Sequence, residues 1–295
     1  MKEILKKLRK YEIRVRKAIN SQMQGDFKSI FKGSGLEFDD VRTYQYGDDI
    51  RSIDWNVTAK GQGTFIKTFK EEKEQTVFFM LDVSASQEIG KEGNQKINIG
   101  KELTALLSIS AIKENSQVGL MCYSDEVESY IKPAKGIKHS YEIINSLFKL
   151  VPKSKKTDLN KGIKYLLNIL KRRSVIFVIS DFIDDGYLQS LKGMARKHDL
   201  IAIQLYHPRE SQFPKVGIVP LYENESQQNI WINSSSAKFR KIMDQTHQTN
   251  TADLERFCAR NDANYTRIST EEDYVPGLLK LFTRRNKKKS SHRAR

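Results

Sequence analysis

The sequence predicts an α/β fold, a mostly parallel sheet flanked by helices, preceded by an N-terminal helix and a small β-rich extension. Three observations predict it. Beyond Thr76, short apolar runs (Val77–Leu81, Val118–Tyr123, Val175–Ile179 and Leu200–Tyr206) alternate with helix-like stretches. These runs stay apolar at successive positions, which marks strands buried on both faces, and strand–helix–strand succession is how parallel strands are joined. The chain has 295 residues, 38% of them apolar, enough for one large domain or two modest ones with a real core.

From the N-terminus, Ile4, Leu8, Tyr11, Val15 and Ala18 fall on one helical face with Lys and Arg around it. This predicts an amphipathic helix over 1–24, docked on its own protein, with a membrane-surface or partner helix as the other reading. Residues 25–74 are rich in turn formers, with Gly47-Asp48-Asp49 and Gly61-Gln62-Gly63 punctuating short alternating segments, and predict small strands and tight turns. In this extension Arg42, Asp48, Arg51, Asp54 and Trp55 are expected to act as polar staples, with Trp55 anchoring the small sheet on the main domain. An interaction surface is the alternative, and Glu37 fits either. The main domain spans 75–283. Its helices are expected at about 96–114, 138–150, 158–171, 186–198, 236–260 and 271–283, the last opened by Ser269-Thr270-Glu271-Glu272 as an N-cap with acids in the first turn. Residues 207–234 break the rhythm with a hairpin, Val216–Leu221 and Asn229–Ile232. Residues 284–295 form a basic tail, expected to be solvated.

Composition excludes several classes. No apolar run approaches the roughly 18–20 residues of a membrane span, and M-K-E-I-L-K-K-L-R-K lacks the apolar core of a signal peptide. Cys122 and Cys258, the two cysteines, offer neither a disulfide framework nor zinc spacing, and point to a cytoplasmic protein. The net charge of +15 is carried mainly by residues 1–17 (+6) and 284–295 (+7). The body is nearly balanced, so a nucleic-acid-binding core is not expected, although either end could meet an anionic polymer or lipid. There is no phosphate-binding glycine loop and no G-x-S-x-G elbow, and the five histidines are scattered.

The chemistry concentrates at strand ends. Val77–Leu81 runs into D-V-S-A-S, which sets Asp82, Ser84 and Ser86 at alternate positions. In an open parallel sheet, ligands bind beyond the carboxyl ends of the strands where strand order reverses. Thr157, in the polar loop K-S-K-K-T-D-L-N, and Asp181, just after the strand S-V-I-F-V-I-S, occupy comparable places. Two carboxylates and three hydroxyls form a hard, all-oxygen set that suits Mg2+, with Mn2+ or Ca2+ as alternatives. Neutral hydroxyls leave the ion's charge partly uncancelled, so a partner's carboxylate could complete the shell.

These residues carry a resemblance. D-V-S-A-S with Thr157 and Asp181 looks like the metal-ion-dependent adhesion site (MIDAS) of von Willebrand factor A-type domains. By that resemblance Asp82, Ser84, Ser86 and Thr157 would be direct or water-linked ligands and Asp181 would act mostly through water. Upstream, G-S-G-L-E-F-D-D-V-R-x-Y-x-x-G-D-D-I-R-x-I-D-W-N-x-x-A (Gly33–Ala59) resembles the bacterial family called domain of unknown function fifty-eight, which joins this motif to an A-type domain. The resemblance runs from about Gly25 to Arg285. The family's Asp-Pro-x-Glu after the fifth strand stands here as His207-Pro208-Arg209-Glu210. The family implies a non-enzymatic adaptor that docks an acidic residue of a partner through the metal, such as a MoxR-type AAA+ ATPase. The rival reading is a haloacid-dehalogenase-like phosphatase with Asp82 as nucleophile. Its general-acid position holds Ser84, which cannot protonate a leaving group at neutral pH. Binding of anionic polymers or lipids through the termini is the third reading.

Overall fold

The computed structural model describes residues 36–61, 63–71, 75–91, 93–210, 215–223 and 228–293. The helix expected over 1–24 and the start of the extension lie outside the described residues. Strands β1 (Leu36–Thr43) and β2 (Phe65–Glu71) pair antiparallel, with a bulge between Phe38 and Asp40. The chain between them is held by carboxylates. Asp48 takes a two-armed bond from Arg42 (2.7 and 2.9 Å) and another from the Gln45 amide. Asp49 accepts from the Arg51 amide, and Asp54 caps the one-turn helix α1 (Trp55–Thr58) through the Asn56 and Val57 amides. The Arg42–Asp48 pair is therefore present, while Arg51 contributes its amide and Asp54 pairs with Lys67, and the anchoring expected of Trp55 is absent. Asp54 and Ile66 turn inward, while Trp55 is 67% exposed and Tyr46 and Ile50 also face solvent.

The main domain begins with β3 (Thr76–Asp82) and continues through β4 (Gln117–Tyr123), β5 (Val127–Ala134), β6 (Val175–Ser180) and β7 (Asp199–Tyr206). Then follow the hairpin β8 (Ile218–Glu223) and β9 (Gln228–Asn233), and finally β10 (Asn264–Ser269). The sheet order is β10-β7-β6-β3-β4-β5, parallel except for β5. This is a doubly wound, mostly parallel sheet whose order reverses between β3 and β6.

Helices α2 (Lys96–Lys113), α3 (Ile137–Lys149), α4 (Leu159–Ile169), α5 (Leu188–Lys197), α6 (Ala237–Arg260) and α7 (Val275–Arg293) cover the sheet. The pleat of β3 decides which helix goes where, because successive side chains point to opposite faces. Val77, Phe79 and Leu81 join a core with α2, α3 and α7, in which Phe79 stacks on Phe177 at 5.0 Å. Phe78 and Met80 join the other core, with α4, α5 and the end of α6. α2 is buried almost all round, as a helix apolar on most sides must be.

Three differences from the sequence expectations have physical causes. Strands β5 and β10 were not anticipated: V-E-S-Y-I-K-P-A and N-Y-T-R-I-S are mixed in polarity because they form the two sheet edges, where one side of each strand meets solvent. The last helix starts at Val275, whose amide bonds the Asp273 carboxylate (3.1 Å), because Thr270 is drawn to β7 by its amide bond to the Tyr206 carbonyl. That helix then runs to Arg293, through most of the segment read as a solvated tail, and Arg285 within it is buried.

Candidate metal centre

Asp82 ends β3 and Asp181 follows β6, the neighbouring strand, where the sheet order reverses. Both carboxylates are buried, as a strand end roofed by loops requires. Asp82 Oδ1 accepts from the Ser84 amide (2.9 Å) and the Ser84 hydroxyl (2.7 Å). Its Oδ2 accepts from the Ser180 hydroxyl (2.7 Å) and from Gln87 Nε2 (3.2 Å). Ser84 Oγ lies 3.1 Å from Ser86 Oγ. The alternate spacing read from the sequence thus brings Asp82, Ser84 and Ser86 into one hydrogen-bonded cluster.

Thr157 arrives on a separate loop. The Ala85 amide bonds the Lys155 carbonyl (3.1 Å), fastening that loop to the one bearing Ser84 and Ser86. Asp158 caps α4 by accepting from the Lys161 amide (2.8 Å), which leaves Thr157 half-buried between the two fastenings. Asp181 is held differently. Its Oδ1 accepts from the Ile183 amide (3.2 Å), and its Oδ2 accepts from Lys96 Nζ (2.7 Å). Lys96 is fully buried and also bonds Glu210.

Burial, with the negative charge of Asp181 second, pushes the Asp82 carboxyl up to about 6, although the Ser180 and Ser84 hydrogen bonds pull the other way. Burial alone would lower the Lys96 ammonium, but the charges of Asp181 and Glu210 outweigh it and hold it above its usual range. The buried Asp82 and Asp181 carboxylates, the Ser84 and Ser86 hydroxyls and the buried, unpartnered Gln87 Oε1 are oxygen donors of the kind a hard divalent ion takes, and Thr157 would add a third hydroxyl from its own loop. Among the described residues no group of three or more His, Cys, Asp or Glu side chains is placed to hold a metal. Any ion here therefore needs the hydroxyls.

Lys96, Glu210, Ser180 and Gln87 all belong to this neighbourhood, and none of them stands out as a site residue in the sequence. One signal was available for Glu210, which matches the acidic end of the family's Asp-Pro-x-Glu. The substituted first position also finds a physical reading. His207 Nδ1 accepts from the Arg209 amide (3.0 Å), the bond to the backbone two residues on that an Asp side chain makes in such a turn, and Glu210 accepts from the His207 amide (3.0 Å). Lys96 carried no local signal, because its partners are far away in sequence.

The chain is 26% identical over 222 residues to an uncharacterized protein of Mycobacterium tuberculosis, covering 74% of this chain and 70% of that one. Among solved structures, an aerotolerance-related membrane protein from Bacteroides fragilis is similar at TM-score 0.46 and 14% identity, over 71% of this chain and 99% of that chain. A conserved hypothetical protein BatB from Bacteroides thetaiotaomicron is similar at TM-score 0.43 and 14% identity, over 70% and 98%. Residues 40–253 match the family described as Protein of unknown function DUF58, and the chain belongs to that family.

Proposed function

We propose that the protein is a metal-dependent protein–protein interaction module, without enzymatic activity, working in the cytoplasm. Asp82, Ser84, Ser86 and Thr157 would hold the ion, Mg2+ or alternatively Mn2+ or Ca2+, and Asp181 would act through water. When bound, the ion would supply uncancelled positive charge toward solvent, which an acidic residue of a partner such as a MoxR-type AAA+ ATPase would meet.

The observation that carries this reading is the Asp82–Ser84–Ser86 cluster at the point where the sheet order reverses. Lys96 already balances the charge of Asp181, which supports the water-linked part for that residue. Against a phosphatase, both oxygens of Asp82 accept hydrogen bonds and Ser84, at the general-acid position, donates to it. Asp82→Ala is expected to abolish heat of binding in calorimetric titration with Mn2+ or Mg2+ while the circular-dichroism spectrum stays native. Binding equal to the parent protein refutes the ligand set. Magnesium-dependent hydrolysis of p-nitrophenyl phosphate that disappears in Asp82→Asn would instead establish the phosphatase.

A further inference from the structure

The β8–β9 hairpin presents apolar side chains on the face where water would favour polar ones. Residues directly opposite in an antiparallel pair share a face. Pro220 lies opposite Trp231 and Ile218 opposite Asn233, so Ile218, Pro220 and Trp231 are on one face and Val219 and Ile232 on the other. Ile218 and Trp231 are each 69% exposed, and Val216, just before β8, is 60% exposed. The base of the hairpin is fixed by serines. The Val216 amide bonds Ser234 Oγ (3.1 Å), the Gly217 amide bonds Ser235 Oγ (3.0 Å), and Ser236 caps α6 through the Phe239 amide. Hairpin and helix are thereby joined, and α6 adds the exposed Ile242 and Met243 within its first two turns.

The first two turns of α6 carry basic charge only, Lys238, Arg240 and Lys241. Lys215, Lys238 and Lys241 are exposed and Arg240 is half-buried. Among the described residues from 215 to 243 the single acid is Glu223, and the following Asp244 is half-buried and accepts from Gln248. Exposed Trp beside aliphatic side chains within a basic rim is the composition of a binding hot spot for an acidic partner. In sequence the platform also comes after the metal centre's last contributor. It follows the 207–210 turn, whose Glu210 bonds the Lys96 that holds Asp181.

We propose that the outer face of the β8–β9 hairpin, with the first two turns of α6, docks an acidic protein segment bearing an apolar anchor. This rests on the interaction-module reading and adds a second contact to the one at the metal. The test uses random 16-residue peptides displayed on phage and selected on the full chain, followed by affinity measurement on synthetic winners. The selected peptides should place Asp or Glu around a Trp, Phe or Leu. They should bind about tenfold or more weakly to Ile218→Ser/Trp231→Ser and to Lys238→Glu/Lys241→Glu, and unchanged to Asp82→Ala. The second double variant changes only exposed helix positions, so it keeps the test decisive if the first does not fold. The Asp82→Ala arm separates failure of the platform from failure of the metal reading. The proposal is overturned by selection without acidic preference, or by affinity that neither double variant weakens. It is equally overturned if light scattering shows self-association lost on charge reversal, or if the chain binds phosphatidylserine vesicles through Trp231.

Discussion

In β4, Gly119 lies so close to β3 that a Cβ there would come within 2.5 Å of the Phe78 ring, which is itself fully buried. The ring cannot move aside without disturbing a close-packed core, so Gly119→Ala should lower unfolding stability by about 2 kcal/mol in urea titration. An unchanged midpoint would show that the sheet has slack at this point. Lys96 makes a stronger demand. Its ammonium is the cation between Asp181 and Glu210, and all three side chains are out of water. Lys96→Met leaves two carboxylates without it and should cost about 3 kcal/mol or more, again read from the urea midpoint. If Lys96→Met is as stable as the parent, the triad is not what holds Glu210 in place. These residues also show what a sequence can and cannot reveal. Asp82, Ser84 and Ser86 were legible because their contacts are with each other, two residues apart. Lys96 meets partners 85 and 114 positions away, and only the folded chain brings them together.

At the level of elements, the strands buried on both faces announced themselves because burial demands apolar residues at every position. Edge strands escape that demand, which is why β5 and β10 read as loop. The hairpin and most helices were legible within a few residues, since turn residues and 3.6-residue periodicity are local properties. The last helix runs past its expected end at 283, which falls short because the final turns look only basic in sequence. The structure gives those turns an anchor. Arg285 reaches Asp199 at the start of β7 with both arms, one at 2.8 Å, and is itself buried, while Leu278, Leu281 and Phe282 pack on the sheet. Arg285→Ala removes a buried cation from a half-exposed carboxylate and should destabilise the domain by about 2 kcal/mol. Thermal melting lowered by several degrees would bear this out, whereas a parent-like melt would mean that the apolar contacts alone hold α7.

For the molecule as a whole, the pH dependence of stability below neutrality is a balance of opposed groups, and one buried imidazole works against the fold as pH falls. His198 is buried at the end of α5, where its Nδ1 accepts the Ser174 amide at 3.3 Å. Burial, with Lys197 and Arg173 adding to it, lowers its pKa from 6.5 to about 4. Between those values the unfolded chain binds a proton that the native state refuses, so the contribution is complete above 6.5 and is lost progressively as pH falls toward 4. Glu128 follows later. Burial would raise its pKa, but the Ser154 and Lys153 amides and the Ser124 hydroxyl outweigh it, so its contribution is lost only as pH drops below its ordinary value of 4.5. Asp82 runs the other way, because a buried acid raised to about 6 is relieved by protonation. Growing positive charge on a chain already at +15 adds repulsion, which about 0.5 M salt would screen. These last effects are common to the parent and to His198→Gln, so comparing the two proteins isolates the imidazole. In urea midpoints measured from pH 7 to 4, the parent should lose stability relative to His198→Gln as pH drops from 6.5 to 4, and the difference should persist in salt. Parallel curves across that interval would mean that the folded protein accepts the imidazolium, contrary to the burial seen at the end of α5.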